Sequence, residues 1–138
     1  MRFVGRSSLP LVFLVAMTCV AASEPIGVMS SGGRYYIEFS PSPAAIDIMH
    51  RFDIEVRIRA GGPRGEMLCD AALKPDLLMQ GHGHGMTVVP NVIRRENCAF
   101  LVQGMMMHMP GLWTLILGVE RGRNAERAYF HVDIWDGD

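Results

Sequence analysis

At 138 residues, 49% of them apolar and with a formal charge of −1, the chain has room for one domain and no second core. It carries no basic patch or stripe, which argues against a nucleic-acid partner.

The chain opens with Arg2 and Arg6, then the apolar run "LPLVFLVAMTCVAA", then the small residues Val20-Ala21-Ala22. This order predicts a signal peptide over 1–22 with cleavage before Ser23. Leu9–Ala22 is short against the ~20 apolar residues that cross a bilayer. The expectation is therefore an exported, periplasmic protein, or, if cleavage fails, one anchored to the inner membrane through this segment and facing the periplasm. Cleavage leaves 11 basic residues against 14 acidic ones and two cysteines, Cys69 and Cys98. In an oxidising compartment the pair is expected to form one disulfide in preference to a soft metal site, since neither belongs to a close Cys-x-x-Cys pair.

Residues 23–33 are expected to be a flexible leader with an edge strand near its end, and 34–138 the folded domain. "RYYIEFS" sets Tyr35, Ile37 and Phe39 on one face. "RFDIEVRIRA" alternates Phe52, Ile54, Val56 and Ile58 with charged residues, the period of a strand with one buried and one wet face. Further strands are expected near Leu68–Leu73, Met86–Arg94 and Cys98–Met107. "WTLILGVE" aligns Trp113, Leu115, Leu117 and Val119, and "AYFHVDIW" aligns Phe130, Val132 and Ile134. About seven short strands separated by "SPSPAA", "AGGPRGE", "RREN", "MPG" and "RGRN" predict an all-β sandwich of immunoglobulin-like type.

Two stretches carry chemistry. In "MQGHGHGMTVVP", Met79–Pro90, two histidines are isolated by glycines and bracketed by methionines. Extended, His82, His84 and Met86 would project from one face; curled by the glycines, both imidazoles could turn about a common point. In "GMMMHMPGLW", Gly104–Trp113, Pro110-Gly111 suits a type II turn of a hairpin. Parity would then place Phe100, Val102, Met106 and His108 on one face and Leu101, Gln103, Met105, Met107 and Met109 on the other.

Thioether and imidazole together suit copper, and Cu(I) in particular. No Asp or Glu falls in Met79–Pro90 or Met105–Trp113, which leaves Mg²⁺ and Ca²⁺ poorly served. The expected ligands are His82, His84 and Met86, helped by His108 and Met109. Methionine is also a common core filler, so several of these sulfurs are expected in the core. Trp113 is expected as a core anchor, able also to shield a Cu(I) ion from water. His50 and His131 lack soft neighbours and are expected to be structural or solvent-facing. No nucleophile, base and orienting acid can be assembled, so no enzyme is expected.

The motifs Met79–Met86 and Met106–Trp113 resemble those of the YtkA-like family, which includes relatives of the FixH type. Its pattern is Met-Pro-x-His-Gly-His-Gly-Met followed by x-x-His-Met-Pro-Gly-x-Trp; Gln80 stands here where proline is usual, and Cys69 and Cys98 are additions. The resemblance covers roughly Arg34–Ile134 and implies an immunoglobulin-like sandwich and a link to assembly of a copper-containing oxidase. The resulting expectation is a copper carrier, cuproenzyme-assembly or tolerance factor that delivers to a membrane or periplasmic protein. The competing expectation is a metal-free module whose Met-rich surface meets a membrane protein complex.

Overall fold

The computed structural model describes residues 24–135; the expected signal segment lies outside them. Among the described residues no helix is long and apolar enough to cross a membrane. Among the described residues nine strands form two antiparallel sheets, more than the seven or so expected. They are β1 (Ile26–Met29), β2 (Tyr35–Ser42), β3 (Arg51–Ala60), β4 (Ala72–Met79), β5 (His84–Gly85), β6 (Asn91–Arg94), β7 (Phe100–Met106), β8 (Gly111–Arg121) and β9 (Asn124–Ile134). One sheet runs β1-β2-β3-β7-β6 and the other β5-β4-β8-β9.

The alternating strands behave as their sequences dictate. Tyr35, Ile37 and Phe39 of β2, Phe52, Ile54, Val56 and Ile58 of β3, and Trp113, Leu115, Leu117 and Val119 of β8 are all buried. They form one core between the sheets, closed by the edge-on pair Phe39 and Phe130. Each fully buried aliphatic side chain contributes roughly 1.5–3 kcal/mol.

Four strand expectations need correction. The strands beyond the seven are β1, an edge strand within the leader where one was expected, and the unexpected short edge piece β5. The strand expected at Leu68–Leu73 lies later in the chain, as Ala72–Met79, and runs through Pro75. Pro75 is tolerated because β4 pairs with β8 along this stretch and meets β5 only at Leu78 and Met79, so no donor is needed on the free side. The strand expected over Met86–Arg94 is confined to Asn91–Arg94. The expected hairpin through Pro110-Gly111 is an arch instead: β7 pairs with β3 and β6, β8 pairs with β4 and β9, and Met107–Pro110 cross from one sheet to the other.

The parity of β7 is also corrected. Phe52 and Ile54 of β3 face Met105 and Val102, so one residue on β3, Asp53, opposes two on β7, Gln103 and Gly104. This bulge sits at Gly104, whose φ of +78° is left-handed. Asp53 Oδ1 accepts its N–H at 2.9 Å, and the Arg51 guanidinium donates to its carbonyl at 3.1 Å. The extra residue inverts the pattern, so Met105 and Met107 join Phe100 and Val102 in the core while Met106 turns outward.

The two ends of the sandwich differ. At one end Cys69 and Cys98 form a disulfide, with Cα atoms 4.7 Å apart, tying the β3–β4 connection to the β6–β7 turn. Arg94 donates there to the carbonyls of Cys69 and Ala71, and Arg121 Nε bonds Asp70 at 2.8 Å, holding that carboxyl below its ordinary range.

Near that end the buried Glu126 of β9 locks the β1–β2 turn. Ser30 Oγ donates to its Oε2 at 2.5 Å, Arg34 N–H to the same oxygen at 3.2 Å, and the Arg34 guanidinium to Oε1. The Ser30 hydroxyl first, and Arg34 after it, lower the Glu126 pKa from its ordinary 4.5. A depressed carboxylate contributes stability that is full above the unfolded pKa and is lost as pH falls through the folded one. We predict that urea midpoints of the parent fall with pH below about 4.5, and that Glu126→Gln is less stable at neutral pH and loses part of this slope. An unchanged slope would assign the acid sensitivity to other carboxylates.

Candidate functional site

The other end collects both motifs. After Met79 ends β4, Gln80–His82 form a single 3-10 turn, and Gly83, with φ +65°, reverses the chain. β5 then folds back on β4 with Leu78 opposite Gly85 and Met79 opposite His84. Of the two geometries open in sequence, the glycines thus take the curled one. His84 falls on the same face as the buried Met79, toward the core, while His82 at the turn is exposed.

The arch delivers the second motif to the same place. Trp113 is fully buried, and its Nε1–H donates to the Met109 carbonyl at 2.9 Å, pinning the arch over the ring. Gly111 has φ +128°, and a Cβ there would lie 2.7 Å from the Met79 methyl. The β4 end and the arch therefore meet at Met79; its flexible end could give way to a Cβ, but the φ at Gly111 is one that L side chains rarely adopt.

The result is a row of rings. His82 and His84 have centroids 5.6 Å apart, and His84 and His108 5.2 Å. Trp113 presents itself edge-on to both inner imidazoles, at 6.1 Å from His84 and 5.3 Å from His108. Met86 and Met109 are half-buried and pack against the core beside them, and Met107 is buried.

The hydrogen-bond account of this row does not close. His84 Nδ1 and His108 Nδ1 are both shielded from solvent and neither has a hydrogen-bond partner. A buried polar atom left this way costs about 1–3 kcal/mol, so two together in one place call for a ligand or a bound water. Among the described residues, no group of three or more His, Cys, Asp and Glu side chains is placed to hold a metal ion. The donors this end offers are therefore two inner imidazoles, with the thioethers of Met79, Met86 and Met109 on the same two segments. That set is soft, uncharged and sheltered, which fits Cu(I) better than zinc or a hard cation.

The sequence-predicted residues fare unequally. His82, His84 and His108 come together, and Met86 and Met109 are half-buried against the core on the same two segments. Met79, read only as bracketing the first motif, lies directly across from His84 and deserves a place in the set; its signal was its position just before the glycine turn. His50 bonds the Ile48 carbonyl at 3.1 Å, and His131 meets Thr114 Oγ1 at 3.2 Å, away from the row.

No family model matches the chain. No curated protein matches it either. The fold has a structural likeness. A crystal structure of a DUF4426 family protein from Pseudomonas aeruginosa PAO1 is similar over 81% of this chain and 97% of that one, with a TM-score of 0.53 and 13% identity. At that identity the likeness speaks for the all-β fold alone.

Proposed function

We propose that this chain is an exported copper-binding accessory protein that holds Cu(I) at the His/Met end and passes it to another protein. The observation that carries the reading is the pair of sheltered, unpartnered Nδ1 atoms on His84 and His108, borne on the two methionine-containing segments. Its resemblance to the YtkA-like pattern, with FixH-type relatives tied to a copper-containing oxidase, agrees with this soft donor set but rests on the two motifs.

In this reading His84 and His108 supply nitrogen, and Met86, Met109 and Met79 are the candidate sulfur donors. His82, exposed on its turn, is the first group an incoming ion meets. Trp113 keeps water from the inner imidazoles and holds the arch through Met109. No thiolate takes part, because both cysteines of the domain are joined at the far end. A neutral His/Met set binds without the tight hold of thiolate, which suits cargo that must be released.

The competing reading is a metal-free binding module, in which the row of rings is packing alone. It is favoured by the lack of any converging group of three His, Cys, Asp or Glu among the described residues. Anaerobic competition for Cu(I) against a chromophoric chelator separates the two. The parent is expected to remove one equivalent, and His84→Ala/His108→Ala to lose affinity by at least about tenfold, the equivalent of ~1.4 kcal/mol. A His82→Ala/His84→Ala variant should lose it too. If the parent leaves the chelator's copper untouched, the carrier reading is wrong and the module stands.

A further inference from the structure

The His/Met end is also the apolar end of the molecule. Four large apolar side chains stand exposed around it: Val89 at 94%, Trp135 at 71%, Met49 at 63% and Leu112 at 52%. The register places them. Met49 N–H donates to the Met107 carbonyl at 2.8 Å, beside the arch. Leu112 lies opposite Asp133, and Trp135 follows Ile134, the partner of Gly111, so Leu112 and Trp135 are diagonal neighbours on one face. Val89 lies in the loop that leads from the His84 strand to β6.

The opposite end is built differently. Its turns and connections carry Arg64, Glu66, Asp70, Arg95, Glu96 and Arg123, all exposed. At the His/Met end the charges are sparser, with Asp47, Arg51 and Asp133 among them. The sandwich is thus polarised along its length.

The chain enters β1 at the middle of its sheet, from the side of the His/Met end. β1 begins at Ile26 opposite Phe39 and runs away from that end, and Pro25 before it lies with Pro41, Ser42 and Ala44. Only Ser23, Glu24 and Pro25 separate Ile26 from the apolar run that closes at Ala22. Three residues reach at most ~10 Å, so where that run is retained as an anchor the domain is held close to the bilayer, and the direction of β1 turns the His/Met end toward it.

We propose that the His/Met end rests on a lipid bilayer, with Val89, Leu112, Met49 and Trp135 at the headgroup boundary. Tryptophan at that rim suits the boundary, where its ring is apolar and its N–H finds water. The scarcity of basic side chains makes a zwitterionic surface sufficient; Asp47 and Asp133 gain nothing from anionic lipid. The exposed His82 then faces the membrane, a placement that does not depend on whether copper binds.

The test uses the full 138-residue chain in phosphatidylcholine vesicles, where Trp113 and Trp135 are the two tryptophans. Because the apolar leader alone can hold the chain on vesicles, the readout is the position of Trp135, taken as the difference between the parent and Trp135→Phe. Phosphatidylcholine brominated near the headgroup is expected to quench the Trp135 emission by about half or more, and aqueous iodide to reach it poorly. Val89→Asp/Leu112→Asp, both exposed positions, should keep the near-ultraviolet dichroism of the fold yet lose the lipid quenching. Iodide quenching without lipid quenching would overturn the proposal and turn this end to water. Protection from iodide without lipid quenching would overturn it too, in favour of a protein partner or a second copy.

Discussion

Trp113→Ala is expected to cost about 3–5 kcal/mol of stability, read as a lower urea midpoint with little change in slope. The ring is fully buried, so its removal leaves a cavity at the end of the core where the arch and the β5–β6 loop cross between the sheets. The same change deletes the donor to the Met109 carbonyl and the edge that faces His84 and His108. Trp113→Phe separates these effects: it keeps most of the buried area and loses the hydrogen bond, worth about 1 kcal/mol. If the indole positions the soft donors, Trp113→Phe should stay folded and still bind Cu(I) more weakly than the parent. Unchanged binding in that variant would leave Trp113 a core residue only.

How much of this was legible in the sequence depends on which interaction decides each feature. The β2, β3 and β8 strands were readable because their alternation is driven by burial on one face, a property of neighbours in the chain. That the two histidine motifs meet was also readable, since their unusual composition marked both. The arch was not: Pro110-Gly111 is compatible with a hairpin or a crossover, and pairing of β7 with β3 and of β8 with β4 settles it at long range. The bulge at Gly104 was hidden for a related reason. One glycine among three methionines gave no sign that its left-handed φ would move Met105 and Met107 into the core. The extent of β4 was equally hidden, because only its partners reveal that no backbone donor is needed at Pro75. The pairing of Cys69 with Cys98 was an expectation from compartment and number, and the structure brings their Cα atoms to 4.7 Å.

Cys69→Ser/Cys98→Ser is expected to lower stability by about 3–4 kcal/mol, the loop-closure entropy for a separation of 29 residues. The bridge ties the β3–β4 connection to the start of β7, strands that otherwise meet only through the sheets. Arg94 reinforces the tie by donating to the carbonyls of Cys69 and Ala71, so part of the geometry should survive without the bond. The position of the bridge makes a sharper statement than its size. It lies at the end of the sandwich opposite His84 and His108, so below the unfolding transition the double serine variant should bind Cu(I) as the parent does. Were affinity instead to fall with the disulfide, the cysteines themselves would be implicated as donors or the two ends would be coupled through the core. Chelator competition run with ascorbate, which leaves disulfides intact, against the same assay run with a thiol reductant would distinguish those outcomes: only cysteine donors would add capacity once the bridge is opened.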